Sequence, residues 1–168
     1  NILFAAVLLK LGFSVETLAA RVAFQAREIR PRTHMMLLVH LDETWVADVG
    51  FGAYGLLKPI LLKSGKVSNY FFRSFVVTEK NGLWRFRSIK DDLKEDLYVF
   101  SLEPQKWIDY QMANYYTSTH PDSIFTNNLT VQTQTDNSQL ILAGNRISEQ
   151  RGKEIIQTVL IEKDQLFE

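Results

Sequence analysis

The chain has 168 residues, 46% of them hydrophobic, and its 19 basic residues are balanced by 19 acidic ones, so the formal net charge is zero. This length suffices for one domain, or for parts of two, with a buried core. A neutral chain lacks the basic excess of proteins that bind nucleic acids or membrane surfaces, and no apolar run reaches the ~20 residues that span a bilayer. The absence of cysteine excludes a disulfide framework and favours a cytoplasmic protein.

The first residues predict the end of a helix. Residues 1–11 are mostly apolar, and Lys10 and Gly12 are the signals that end a helix. No N-cap residue or acidic first turn precedes this segment, so we expect the helix to begin upstream of Asn1.

Short strands separated by turns are predicted for the next ninety residues. The expected strands are residues 13–24, 35–41, 45–49, 69–79, 83–89 and 96–101, with a short edge strand at 58–62. Asn81-Gly82 predicts a hairpin turn, and residues 90–95 predict a charged loop. This succession favours an antiparallel barrel or a strongly twisted sheet.

The pattern changes after residue 102. A helix is expected over residues 103–117 with Pro104 in its first turn, followed by a loop over 118–128. A second set of strands is expected over 129–135, 139–143, 146–149 and 153–161, and a helix is expected to begin at 163.

Residues 31–52 have the layout of a β-hairpin whose first strand opens on His34 and whose second ends near Asp48. A histidine and a carboxylate on one hairpin are two members of a nucleophile–His–Asp triad. A three-residue loop at 42–44, however, would pair Leu38 with Asp48 and leave His34 about 13 Å from that carboxylate. The triad therefore requires a shifted register, a bulge or a bend.

Several segments resemble the arylamine N-acetyltransferase family in order and spacing. They are RTHMMLLV (32–39) with WVADVGFG (45–52), NILF (1–4), LGF (11–13), ARV (20–22) and STHPDSIF (118–125). In that family Asn1 would close an Arg-Gly-Gly-x-Cys-x-Glu-x-Asn motif, which places the catalytic cysteine four residues before Asn1.

The resemblance implies an α+β fold in three parts. Residues 1–13 would end a truncated N-terminal helical domain, residues 14–102 would form an antiparallel β-barrel, and residues 103–168 would form an incomplete α/β lid. It also implies acetyl-CoA as the acetyl donor, an arylamine or arylhydrazine as the acceptor, and a role in xenobiotic metabolism. In a ping-pong scheme, His34 and Asp48 would activate the cysteine as a thiolate that takes the acetyl group and then passes it to the amine.

The same resemblance assigns the remaining site residues. Thr33, Gly52 and Ser123 would contact the coenzyme, and Phe51 and Phe125 would line the acceptor pocket. The glycines that flank Phe51 also fit a turn that needs positive φ.

Two alternatives stay open. One is another cysteine-triad acyltransferase or a transglutaminase-like enzyme, which a requirement for coenzyme A would distinguish. The other is an inactive barrel fragment that binds coenzyme A or a small ligand. Since the 168 residues contain no cysteine, we expect this chain as given to be inactive, and we expect the apolar face of residues 2–11 to make it poorly soluble. Three scattered histidines predict no metal site.

Overall fold

The computed structural model describes residues 1–70, 73–135, 137–152 and 154–160. The helices in this part of the chain are α1 (Ile2–Lys10), α2 (Trp107–Thr119) and α3 (Ile124–Asn127). The strands of the first sheet are β1 (Ser14–Val22), β2 (His34–His40), β3 (Thr44–Ala47), β4 (Ile60–Leu61), β5 (Val67–Asn69), β6 (Ser74–Lys80), β7 (Leu83–Lys90) and β8 (Leu93–Phe100). The strands of the second sheet are β9 (Thr130–Gln134), β10 (Ser138–Ala143), β11 (Arg146–Arg151) and β12 (Glu154–Leu160). None of the described helices is long and apolar enough to cross a membrane.

The first sheet curls into a nearly closed antiparallel barrel. Its strand order is β4-β3-β2-β1-β8-β7-β6-β5, so the chain leaves β1 in one direction and returns to its other side with β8. Alternate side chains point inward and form one core, in which Leu18, Met36, Phe75, Phe86 and Tyr98 are buried. The predicted α+β fold with a barrel is confirmed.

Helix α1 covers the outer face of the barrel. Ala5 packs against Leu37, Val39 and Ala47 from β2 and β3. Strand β2 is therefore buried on both faces, which explains why its sequence is a continuous apolar run and does not alternate.

Two strand predictions in the barrel are wrong in detail. The single strand expected over 69–79 is two strands, because the chain turns back between β5 and β6, where Tyr70 N donates to Arg73 O over 3.0 Å. The charged loop expected over 90–95 is a tight hairpin between β7 and β8. Its turn is Asp91-Asp92, with φ angles of 50° and 64°, so two aspartates adopt the left-handed conformation that Asn-Gly provides at residues 81–82.

The second sheet is antiparallel, in the order β12-β11-β10-β9, and contains the four strands predicted for this region. The helix expected over residues 103–117 begins four residues later, at Trp107, next to Lys106, whose backbone N–H donates to the Asp109 carboxylate at 2.8 Å. The predicted loop over 118–128 contains the short helix α3. The helix expected from residue 163 lies outside the described residues.

Candidate active site

His34 and Asp48 are joined inside the barrel. The distance between His34 Nε2 and Asp48 Oδ2 is 2.7 Å, and the side chains are 11% and 1% exposed. An ionised carboxylate can only accept a hydrogen bond, so Nε2 carries the hydrogen and donates it. The proton-accepting nitrogen is then Nδ1, which makes no hydrogen bond within the described part of the chain.

The hairpin register accounts for this contact. His40 pairs with Thr44 and Leu38 with Val46, so the predicted pairing of Leu38 with Asp48 is wrong. The loop comprises residues 41–43 and not 42–44, so the ladder, if continued, would place Asp48 opposite Met36 and not opposite Leu38. This register reduces the offset between His34 and Asp48 along the strands from about 13 to about 7 Å. Strand β3 ends at Ala47; there Asp48 leaves the ladder, and its side chain covers the remaining gap.

The second oxygen of Asp48 is fixed from two sides. Asn1 Nδ2 donates to Oδ1 at 2.8 Å, and the Gly50 backbone N–H donates to the same oxygen at 2.9 Å. Burial acts to raise the pKa of Asp48, but the hydrogen bond and charge of His34, with the bonds from Asn1 and Gly50, outweigh it and hold the pKa below its ordinary value. The carboxylate therefore stays ionised beside the imidazole.

Aromatic rings enclose the imidazole. The His34 ring centroid lies 5.4 Å from that of Phe51, edge to face, and 5.1 Å from that of Tyr98. The Tyr98 hydroxyl is buried near Asp48. Burial, followed by the Asp48 charge, raises the pKa of Tyr98 well above its ordinary value, so the phenol adds no negative charge to the site.

The arrangement is that of a histidine base oriented by a buried carboxylate, and comparison with known proteins identifies its family. Residues 1–168 match the model of a family described as N-acetyltransferase. The chain belongs to the arylamine N-acetyltransferase family. The relationship predicted from the sequence motifs is confirmed.

Individual relatives agree with the family model. The chain is 33% identical over 157 residues to an arylamine N-acetyltransferase of Mycolicibacterium smegmatis, covering 90% of this chain and 57% of the relative. It is 35% identical over 131 residues to the Escherichia coli K12 enzyme, covering 77% of this chain and 47% of the relative. The chain thus spans about half the length of these relatives.

Solved structures of the family share the fold. An M. smegmatis enzyme with a cysteine-to-glutamine substitution matches with a TM-score of 0.91 at 30% identity, covering 98% of this chain and 63% of that one. A Mycobacterium marinum enzyme in complex with CoA matches with a TM-score of 0.88 at 26% identity, covering 95% and 61%.

Gly52, one of the other predicted site residues, follows Asp48 by four positions. It has a φ of 87°, and a Cβ there would collide with the Gln132 side chain. A Cβ at Gly50 would lie 2.7 Å from Asn1 Nδ2. Each glycine leaves room for a neighbouring side chain within the protein, and the positive φ of Gly52 also favours glycine. The contact of Gly52 with coenzyme stays a prediction.

Thr33 directly precedes His34, whereas Ser123 and Phe125 belong to the α2–α3 region. Thr33 is half-buried just before β2. The Ser123 hydroxyl is buried at the start of α3, where it donates to the Thr117 carbonyl at 2.6 Å, and Phe125 is 62% exposed. Among the described residues, no hydrogen bond, ion pair or ring contact joins Ser123 or Phe125 to His34, so their ligand roles stay predictions.

Sequence reasoning missed several residues around the site. Asn1 was expected only as the end of a motif, and Tyr98 only as part of a strand. Gln132 and Gln139, which contact the Gly52–Ala53 backbone, carried no signal because their contact depends on how the second sheet docks. Within the described residues no group of three or more potential metal ligands is present.

Proposed function

We propose that the protein transfers an acetyl group from acetyl-CoA to an arylamine or arylhydrazine through a Cys-His-Asp triad. The observation that carries the proposal is the buried His34–Asp48 pair, whose Nδ1 is left to accept a proton. Family membership supports the reaction class, and the CoA complex of the M. marinum relative supports the donor.

In the proposed mechanism, His34 Nδ1 takes the proton of a cysteine thiol. The ionised Asp48 stabilises the imidazolium and keeps Nε2 protonated. The thiolate attacks the acetyl carbonyl, the thioester bond to coenzyme A breaks, and the departing thiolate takes a proton from His34. The amine then attacks the acetyl-cysteine, the cysteine thiolate leaves, and the amine proton passes to His34, which restores the thiolate–imidazolium pair.

The nucleophile is not among the 168 residues, and we propose that it lies four residues before Asn1 in the gene product. The bond from Asn1 Nδ2 to Asp48 holds the start of α1 at the pair. A residue one helical turn earlier would lie about 6 Å from Asn1 along the axis, within reach of the same site. On this proposal, the 168-residue chain alone transfers no acetyl group.

The other roles follow the family resemblance. Phe51 would form a wall for the aromatic acceptor, because its ring already lies against His34. Phe125 would add to this wall, and Thr33, Gly52 and Ser123 would lie along the coenzyme. The division into a helical part, a barrel from residue 14 to 102 and a lid from residue 103 is proposed with them.

The test uses the complete gene product with acetyl-CoA and no acceptor, followed by intact mass and peptide mapping. We expect one acetyl group on the cysteine four residues before Asn1. His34→Gln should slow its formation by about 10³-fold or more. His40→Gln is the matched control, since His40 lies on the same strand but pairs with Thr44 and Glu16.

Absence of the adduct in a folded wild-type protein would overturn the proposal. So would His34→Gln protein that acetylates as fast as the His40→Gln control.

A further inference from the structure

Both peptide groups of Ala53 are hydrogen-bonded to side chains of the second sheet. The Ala53 N–H donates to Gln132 Oε1 at 2.6 Å, and Gln139 Nε2 donates to the Ala53 carbonyl. Gln134 Nε2 donates to the Gly52 carbonyl at 3.4 Å. These three side chains, Gln132, Gln134 and Gln139, are called the glutamine clamp below.

The clamp is a continuous feature of the second sheet. Gln132 and Gln134 are two residues apart on β9 and so share a face, and Gln139 on β10 is directly paired with Gln134. All three amides therefore project from the same side of the sheet toward the barrel. Gln139 is only 3% exposed, and a buried amide is stable only when it is hydrogen-bonded.

The clamped backbone belongs to no strand. Ala53 is 2% exposed and lies in the connection between β3 and β4. A buried peptide outside regular structure must find hydrogen-bond partners, and here they come from the second sheet. Gly52 permits the approach, because any side chain there would collide with Gln132.

The clamp lies two residues from the wall of the active site. Phe51, immediately before Gly52, packs edge to face on the His34 ring and also contacts Tyr98 and Phe24. The hydrogen bonds that orient the His34–Asp48 pair come from Asn1 and Gly50, which are not members of the clamp. The backbone that carries Phe51 is thus fixed from the second sheet, separately from the catalytic pair.

We propose that the glutamine clamp positions Phe51 and so determines which acceptors the enzyme takes. The inference rests on the proposed function, because Phe51 is assigned there to the acceptor wall. In a ping-pong enzyme the role of the His34–Asp48 pair and the role of Phe51 can be measured in separate half-reactions. Acetyl-enzyme formation depends on His34 and Asp48, and acetyl transfer to the amine depends also on the position of Phe51.

Three isosteric substitutions in the complete gene product test the proposal. Gln139→Glu replaces the donor to the Ala53 carbonyl by a carboxylate, which repels that carbonyl. Gln132→Glu keeps an acceptor for the Ala53 N–H. Gln150→Glu is the matched control: Gln150 on β11 is the cross-strand partner of Gln139, so it places the same charge beside the clamp, but its Nε2 donates at 2.9 Å to the carbonyl of Gly152 and not to the clamped loop.

The readouts are the rate of acetyl-enzyme formation and the acceptor KM for aniline and for a bulkier arylamine. For Gln139→Glu we expect an acceptor KM raised about tenfold, with a changed ratio between the two amines and an acetylation rate within about twofold of wild type. Gln132→Glu and Gln150→Glu should stay close to wild type. Lowering the pH until the introduced carboxyl group is protonated should partly restore the KM of Gln139→Glu, since the neutral acid can donate again.

Hydrogen exchange of the Ala53 amide provides a second measurement that does not depend on activity. It should be slow in wild type and in Gln150→Glu, and faster in Gln139→Glu. Equal acceptor kinetics in Gln139→Glu and wild type would overturn the proposal, as would an equal loss in Gln150→Glu. A folded wild-type protein that forms no acetyl-enzyme would instead refute the proposed function.

Discussion

At the scale of single residues, the site depends on the ionised state of Asp48. Its two oxygens receive hydrogen bonds from His34, Asn1 and Gly50, and these outweigh the cost of burying the charge. The same bonds select the imidazole tautomer that leaves Nδ1 as the base. One carboxylate therefore serves both stability and the proposed chemistry.

The lowered pKa of Asp48 predicts how stability depends on pH. The unfolded state binds a proton at about pH 3.9 and the folded state only at lower pH. The stabilisation from Asp48 is thus fully present above the unfolded pKa and is lost as the pH falls through the folded pKa. Urea unfolding from pH 7 to pH 3 should show wild type most stable relative to Asp48→Asn at neutral pH, with the difference shrinking in acid. Asp42→Asn, in the exposed hairpin loop, is the control. A difference between wild type and Asp48→Asn that stays constant or grows toward acid would contradict this prediction.

At the scale of elements, the hairpins determine which residues face the barrel interior. Relative to the predicted pairing, the β2–β3 ladder is shifted by two residues, which brings Asp48 within reach of His34. A shift of one residue would instead place the two side chains on opposite faces of the sheet. Two further hairpins, β6–β7 and β7–β8, close with two-residue turns in which both residues have positive φ.

The β7–β8 turn offers a stabilising substitution. Asp92 has a φ of 64°, a conformation that strains residues with a Cβ and is free of strain for glycine. Asp92→Gly would create the preferred Asp-Gly turn and should raise the free energy of unfolding by about 0.5–1 kcal/mol, after allowance for the greater entropy of glycine in the unfolded chain. Urea denaturation measures the change. Gly82→Ala, at a position with a φ of 78°, should instead lower the free energy of unfolding by about 1 kcal/mol. A destabilised Asp92→Gly protein would contradict the prediction and show that the aspartate makes a compensating contact.

At the scale of the whole molecule, the chain is a barrel with a helix on its outer face and a second sheet held to one of its loops by the glutamine clamp. Ala5 lies on the side of α1 that packs against the barrel and is buried there. Other apolar residues of this segment remain exposed: Ile2, Leu3, Val7, Leu9 and Leu11. An apolar patch of this kind favours association with another surface.

Residues 1–168 expressed alone should therefore self-associate. Light scattering after size-exclusion chromatography should show species larger than a monomer, and Leu3→Glu with Val7→Lys should reduce them. Leu93→Glu is the control, since Leu93 is 77% exposed at the β7–β8 turn, away from α1. A monodisperse monomer of the unmodified chain would contradict this prediction.

The sequence by itself determined the family, most strands and the two residues, His34 and Asp48, that the structure joins in a buried pair. It could do so because apolar periodicity and turn residues involve only neighbouring positions, and because the motifs around His34 and Asp48 are short runs of consecutive residues that resemble the family. The errors at 69–79 and 90–95 arose where a turn lacked Asn-Gly or Pro. Only the tertiary structure decided the hairpin register, the Asn1 and Tyr98 contacts and the glutamine clamp. These join residues as much as 86 positions apart, and such contacts form only when the barrel curls and the second sheet docks.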